Sequence, residues 1–362
     1  MSTQSNIPHN QEHVVSVTRK PGHLAGTRAD PAKKSLYAAA GVKLVNLTPD
    51  IGTEIVGLQL KDLNDQQAED LALLIAERGV VFFRSQDLSV EEQRRLGLRW
   101  GKLHDRVPGV GPSAANDVQV IHVDQNSVRA PDSWHQDHSA DEEPATITFL
   151  VIRDLPEDEV GGDTQWASLY AAYDKLSPEF RKKLEGLSTL QEGSYYPQDD
   201  SYEPARGEHP LIRTHPVTGW RILYTNRAWN KQIKGFSKEE SDNLLNFLNE
   251  HVAKGIEFQV RWKWSKNSVA LWDNRATQHR ATWDYYPSSR TGTRVVVMGD
   301  RSYFDPNSKS RAEALNLPIN PSWRLGIAKS VEDIKGINKL GVKFNNQLKG
   351  KWQIPIKEDS KL

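Results

Sequence analysis

The 362-residue chain contains no cysteine. Disulfides, thiolate metal sites, iron–sulfur clusters and a cysteine nucleophile are therefore excluded, and any metal must be held by His, Asp or Glu. A net charge is missing too, because 47 Lys and Arg balance 47 Asp and Glu. The basic excess or stripe that accompanies nucleic-acid binding is absent, so no nucleic-acid partner is expected. No apolar run approaches the roughly 18 residues that span a membrane, and no membrane partner is expected. Residues 1–10 are polar and lack the apolar stretch of a secretory signal. Neither an internal repeat nor a low-complexity tract is found.

What remains is enough chain for one large domain or two ordinary ones. Residues 1–38 mix Pro, Gly, Ser and basic residues without periodicity and read as a flexible arm. The ordered chain is expected to start with the alternating strand Val42-Lys43-Leu44-Val45-Asn46-Leu47. Asn64 with Gln67, Ser89 with Glu92 and Ser237 with Glu240 each have the spacing of a capping box. The helices they open are expected to turn Leu71, Leu74 and Ile75, then Leu96 and Trp100, then Leu244, Leu245, Phe247 and Leu248 inward. Gly79 ends the first of these helices, and Val80-Val81-Phe82-Phe83 follows as a buried strand.

The rest is mostly short strands: 146–152, 220–225, 256–262, 268–272 and 293–298 are rich in β-branched and aromatic residues. Strands and helices do not alternate, which argues against a doubly wound parallel sheet. The expected class is mainly β with flanking helices around a double-stranded β-helix (jelly-roll) core. Residues 39–305 would form the main domain, and 306–362, rich in Lys, Asn, Pro and Gly, a surface extension.

One hexapeptide stands out, Ser133-Trp134-His135-Gln136-Asp137-His138. Residues two apart on an extended strand point the same way, so His135 and Asp137 can hold one cation together. One further His would complete a facial triad of two His and one carboxylate, leaving open positions on Fe(II) for a bidentate oxo acid and O2. The best candidate is His279, just past the expected strand 268–272. Arg290 and Arg294 follow it, and guanidinium groups suit carboxylate recognition. His138, three residues from His135, faces the other way on a strand, and His104, His122 and His215 read as structural or surface histidines. A His-x-Asp pair also arises by chance, and both arginines could equally be solvated strand-end charges. Spacing alone leaves these alternatives open.

Taken together, several blocks resemble the taurine dioxygenase and 2,4-dichlorophenoxyacetate dioxygenase family. They are Leu47-Thr48-Pro49-Asp50-Ile51-Gly52 with Gly57, Gly79 to Arg84, and Trp100-Gly101-Lys102-Leu103-His104. Trp134-His135-Gln136-Asp137, Gly161-Gly162-Asp163-Thr164 with Trp166, and His215 to Gly219 come next, and Trp272-Asp273-Asn274-Arg275 to His279, with Arg290, Arg294 and Gly299-Asp300, completes the series. The resemblance implies an Fe(II)- and 2-oxoglutarate-dependent dioxygenase that consumes O2 and releases succinate and CO2 while oxidising a small anionic substrate.

Residue by residue, the resemblance implies His135, Asp137 and His279 as iron ligands, and Arg290 with Thr164 as the grip on the distal carboxylate of 2-oxoglutarate. It implies Arg294 near the metal and the substrate anion, and Trp229 as an aromatic pocket wall or a plain core tryptophan. The chain departs from the family at Leu103-His104-Asp105-Arg106-Val107-Pro108-Gly109. An ungapped reading sets Arg106 where the taurine enzymes have a second His and Gly109 where they have Tyr. That departure puts taurine in doubt and favours a sulfonate, sulfate ester, carboxylate or amino acid.

Desaturation or cyclisation would use the same ligands, and a non-catalytic anion-binding jelly roll is the non-enzyme alternative. A zinc hydrolase lacks its His-Glu-x-x-His helix. The glycines of Gly109-Val110-Gly111-Pro112-Ser113-Ala114 are a poor dinucleotide match, since Pro112 intrudes and no strand precedes them. The terminal Ser360-Lys361-Leu362 reads as a peroxisomal address for an import receptor, with the cytoplasm as the alternative, and a homo-oligomer is compatible with the sequence.

Overall fold

A computed structural model describes residues 24–39, 41–104, 117–127, 133–193 and 203–318. Arg106 and Ser360-Lys361-Leu362 lie outside the described residues. In chain order the strands are β1 Lys43–Asn46, β2 Thr53–Val56, β3 Val80–Phe83, β4 Gln119–Val123, β5 Ile147–Asp154, β6 Thr164–Ser168, β7 Ser188–Glu192, β8 Arg206–Pro210, β9 Ile212–Thr214, β10 Arg221–Leu223, β11 Asn230–Ile233, β12 Gln259–Trp262, β13 Val269–Asp273, β14 Thr277–Ala281 and β15 Arg290–Val296. The helices are α1 Lys34–Tyr37, α2 Asp65–Arg78, α3 Val90–Trp100, α4 Leu169–Asp174, α5 Pro178–Leu184, α6 Lys238–Lys254 and α7 Arg311–Leu315.

Two sheets carry the fold. The larger runs β1-β2-β3-β13-β5-β15-β4, the smaller β12-β6-β14. Strand periodicity divides the residues of β3, β5 and β13 between two cores. Val81, Phe83, Phe149, Val151, Val269 and Leu271 face a cluster with Leu71, Leu74, Ile75, Leu96 and Trp100 from α2 and α3. Val80, Phe82, Leu150, Ile152, Ala270 and Trp272 face Trp166, Val260 and Trp262 of the smaller sheet. Phe82 stacks on Trp262 with centroids 4.2 Å apart and planes 9° apart. The architecture is mainly β with flanking helices, and β3 reads as an unbroken apolar run because both of its faces are covered.

All three expected capping boxes close, at Asn64/Gln67, Ser89/Glu92 and Ser237/Glu240. Each satisfies two otherwise orphaned donors at a helix start. Gly79 ends α2 at φ 74, a backbone region that a Cβ disfavours. Four expectations are corrected. Phe247 is half-exposed rather than inward, because it stands about 200° around α6 from the buried Leu245. Residues 256–258 form a 3-10 turn, and strand begins only at Gln259. The strand expected at 293–298 begins earlier, at Arg290. Packing starts before residue 39: Leu36 is buried in the helix-side core, and Asp70 accepts backbone bonds from Asp30 and Leu36.

Candidate active site

His279 sits in the middle of β14, and an isolated bridge pairs it with His135 through backbone bonds of 3.0 and 2.8 Å. The chain is extended at His135 but turns at Asp137, and His138 adopts φ 50. The segment is therefore shorter than the strand expected from sequence. The convergence still holds. His135 Nε2 lies 3.9 Å from Asp137 Oδ1, and His279 Nε2 lies 3.9 Å from Asp137 Oδ2. The His135 and His279 rings are 4.2 Å apart, and Trp272 backs His279 at 4.8 Å.

Two of the three ligand candidates are held by side-chain hydrogen bonds, whereas the buried Nδ1 of His279 has no partner among the described residues. Nδ1 of His135 lies 2.9 Å from the Ser133 carbonyl, a bond that places the proton on Nδ1 and turns the Nε2 lone pair toward Asp137. Asp137 Oδ2 accepts from Thr148 Oγ1 at 3.0 Å, and Oδ1 accepts from Arg294 Nη1 at 2.8 Å. Asn274 braces the turn: its Oδ1 accepts from Asp137 N, and its Nδ2 donates to Thr148 Oγ1 at 2.6 Å. Burial pushes the Asp137 carboxyl up, but Arg294, His279 and His135 overcome it and hold the group below the usual carboxylate range. Burial pulls His279 down to about 3, so its imidazole is neutral.

These residues fit one divalent ion. One ligand atom from each of the three lies within 4.8 Å of the others, close enough to converge on one ion. The donors are two imidazoles and one carboxylate, the set found in facial-triad iron sites. His135 is 30% exposed while Asp137 and His279 are 5% and 8% exposed, so the cluster opens on the His135 side.

A second cluster of expected residues meets at a tryptophan. Trp264 Nε1 donates to Thr164 Oγ1 at 3.0 Å, which leaves the threonine O–H free to donate elsewhere. The Arg290 guanidinium lies over the Trp264 ring at 5.5 Å, and its Nη1 donates to Gly162 O at 2.8 Å. Burial pulls Arg290 down to about 10, so it stays charged at neutral pH. Arg290 and Arg294 pair in unbroken register with β4 and share a face of β15, roughly 13 Å apart along the strand. Neither is a solvated strand-end charge.

The other expected residues are placed as follows. Trp229 is half-buried in the turn after Asn226, whose side chain donates to Gln136 O and Ser139 Oγ. His122 is exposed beside Thr291. His215 is buried: Nδ1 accepts from Val217 N and Thr218 N, and Nε2 donates to Asp273 at 3.0 Å. His104 and His138 stack at 3.8 Å near Asp141, with His104 Nε2 3.2 Å from Asp141 Oδ2. Rings stacked only 28° from parallel aim their lone pairs poorly at a shared ion, so this group fits a His104–Asp141 hydrogen bond better than a metal.

Sequence reasoning missed Thr148, Asn274, Trp264 and Gln119. Asn274 was visible in the Trp272-Asp273-Asn274-Arg275 block without a role, whereas the other three had no local signal.

Comparison with known proteins adds the following. The family model described as taurine catabolism dioxygenase TauD, TfdA family matches residues 43–297. A Schizosaccharomyces pombe protein named as a candidate alpha-ketoglutarate-dependent sulfonate dioxygenase is 38% identical, over 80% of this chain and 78% of its own. The alpha-ketoglutarate-dependent sulfate ester dioxygenase of Pseudomonas putida is 32% identical, over 69% of this chain and 87% of its own. Among solved structures, a taurine dioxygenase from Burkholderia xenovorans superposes with a TM-score of 0.65 at 33% identity, covering 74% of this chain and 92% of the other.

Proposed function

The chain belongs to the TauD, TfdA family of dioxygenases, and from that premise we propose that its site oxidises a small organosulfur anion, a sulfonate or a sulfate ester. It is an enzyme that depends on Fe(II), 2-oxoglutarate and O2 and acts on a small anionic substrate. When bound, the metal with 2-oxoglutarate and O2 supplies the oxidation, and succinate and CO2 leave.

The protein's own residues bind and orient. His135, Asp137 and His279 would hold the ion on one face. Arg290, with the Thr164 hydroxyl freed by Trp264, would hold the distal carboxylate of 2-oxoglutarate. Trp166, Trp262, Trp264 and Trp272, all buried, keep water from the inner wall. Arg294 would face the substrate anion. The two facing sheets support reading the core as a double-stranded β-helix.

The observation that carries this reading is a cationic guanidinium 2.8 Å from the carboxylate of a convergent His-Asp-His cluster. The relatives named for sulfonates and sulfate esters support reading the anion as a sulfur oxyacid.

The test is an anaerobic titration of the apo protein with Fe(II) and 2-oxoglutarate, following the visible charge-transfer band. Alkyl sulfonates, alkyl sulfates, aryloxy acids, short carboxylic acids and amino acids are then added in turn. Sulfonates or sulfate esters should shift the band and, in air, yield one succinate per substrate oxidised. A band moved only by carboxylates would replace the organosulfur reading. Product analysis on the responsive class separates hydroxylation from desaturation or cyclisation.

A further inference from the structure

The Arg294 guanidinium has five N–H groups, and three of them are engaged. Nε and Nη2 donate to Oε1 of Gln119 at 2.9 and 2.6 Å, and Nη1 donates to Asp137 Oδ1 at 2.8 Å. Gln119 lies directly opposite Arg294 in the β4–β15 ladder, so the contact is set by strand register and not by a mobile loop. Two N–H groups, one on each terminal nitrogen, have no partner among the described residues and are offered to an incoming ligand.

The residue type at 119 then decides what this arginine can do. A carboxylate there would form a fork with the same edge and cancel the charge. An apolar side chain would leave that edge unpaired in a half-buried place and let the guanidinium swing. An amide oxygen pins the edge and leaves the full positive charge in place. The anionic contact at Nη1, Asp137, is on the reading above already committed to a divalent cation. The charge directed at the site is therefore open to a substrate anion.

Resting on that reading, we propose that Gln119 is a specificity-determining positioning residue: it aims the Arg294 guanidinium without neutralising it, and so sets affinity for the sulfonate or sulfate group of the substrate. Nothing in the local sequence of β4 marks it. The role exists because the register of two strands far apart in the chain sets an amide against a guanidinium.

The test uses Gln119→Glu, Gln119→Leu and Gln119→Asn in the protein loaded with Fe(II) and 2-oxoglutarate, with ethanesulfonate as the probe. Gln119→Glu should weaken ethanesulfonate at least about tenfold, since it removes a charge-assisted contact. Gln119→Leu should weaken it several-fold, and Gln119→Asn should recover part of the loss. The affinity for 2-oxoglutarate, held at Arg290, should move less than about twofold. The second readout is hydrogen exchange at the Arg294 Nε–H in Zn(II)-loaded protein. It should be protected in wild type and in Gln119→Glu, and faster in Gln119→Leu.

Wild-type ethanesulfonate affinity in Gln119→Glu overturns the proposal, as does equal exchange in wild type and Gln119→Leu. If wild type binds no sulfonate or sulfate ester while its Arg294 Nε–H is protected, the organosulfur reading fails and the positioning role stands. If that proton is unprotected in wild type, the positioning role fails whatever the substrate is.

Discussion

Replacing Thr148 by valine tests how the triad is held, because the change keeps the shape of a side chain with no exposed surface and removes one oxygen. Thr148 Oγ1 donates to Asp137 Oδ2 at 3.0 Å and accepts from Asn274 Nδ2 at 2.6 Å. Hydrogen bonds to charged groups contribute about 1.5–3 kcal/mol. Asp137 keeps its bond from Arg294, and Asn274 keeps a longer one to Thr146 O at 3.3 Å. The loss should therefore sit near the lower end, about 2 kcal/mol. For a domain of this size that is a melting temperature lower by about 3–4 °C.

The same bond orients the carboxylate toward the two imidazoles. Its removal should weaken metal binding about 10- to 100-fold, as loss of an outer-shell partner does. The assay is anaerobic titration of the apo protein with Co(II), read by its visible absorption, alongside thermal melts with and without metal. Thr148→Ser, which restores the oxygen, should recover most of the metal affinity. Metal affinity within twofold of wild type in Thr148→Val would refute the idea that this hydroxyl orients Asp137.

Trp264→Phe keeps a ring beneath Arg290 but removes the N–H that holds the Thr164 hydroxyl. The KM for 2-oxoglutarate should rise about 2- to 12-fold, with the KM for the organic anion little changed; the reverse pattern would remove Trp264 from the 2-oxoglutarate pocket. Stability should fall on the acid side. Burial, then repulsion from Arg275 and Arg213, pulls His215 and His209 down to about 4, against an unfolded value near 6.5. The unfolded chain thus binds more protons, so the contribution is full above about pH 6.5 and is lost as pH falls toward 4, by up to about 2 kcal/mol per histidine at pH 5. Urea midpoints at pH 7.5 and 5.0 check this, and equal midpoints would contradict it. Gly57→Ala should cost about 2 kcal/mol or more, because Gly57 sits at φ 85 and a Cβ would meet Gly41 O at 2.3 Å. A wild-type denaturation midpoint for that variant would show that this turn relaxes freely.

Local chemistry made much of this protein readable. A capping box is written in two side chains three residues apart, so all three helix starts at Asn64, Ser89 and Ser237 were visible. The absence of cysteine limited metal ligands to His, Asp and Glu, and His135-x-Asp137 offered two candidates. Residues 80–83 were visible as a buried strand because their apolar run has no break. The third candidate was harder. His279 was one histidine among 11, favoured by its place after a strand and by the family blocks. Its pairing with His135 is a bridge across some 140 residues that no local pattern encodes.

Tertiary structure alone decided the supports. Gln119 meets Arg294 through the β4–β15 register, and Trp264 meets Thr164 and Arg290 where the two sheets close over each other. Thr148 reaches Asp137 because β5 passes beneath the turn that carries it. Phe247 was misread for a related reason: an apolar residue advertises burial, but which side of α6 meets the core is set by what packs there. The sequence by itself determined which groups could do chemistry, since residue type limits charge, donors and ligand capacity. Which of them stand within 3 Å of each other is a property of long-range strand pairing, and only the folded chain decides it.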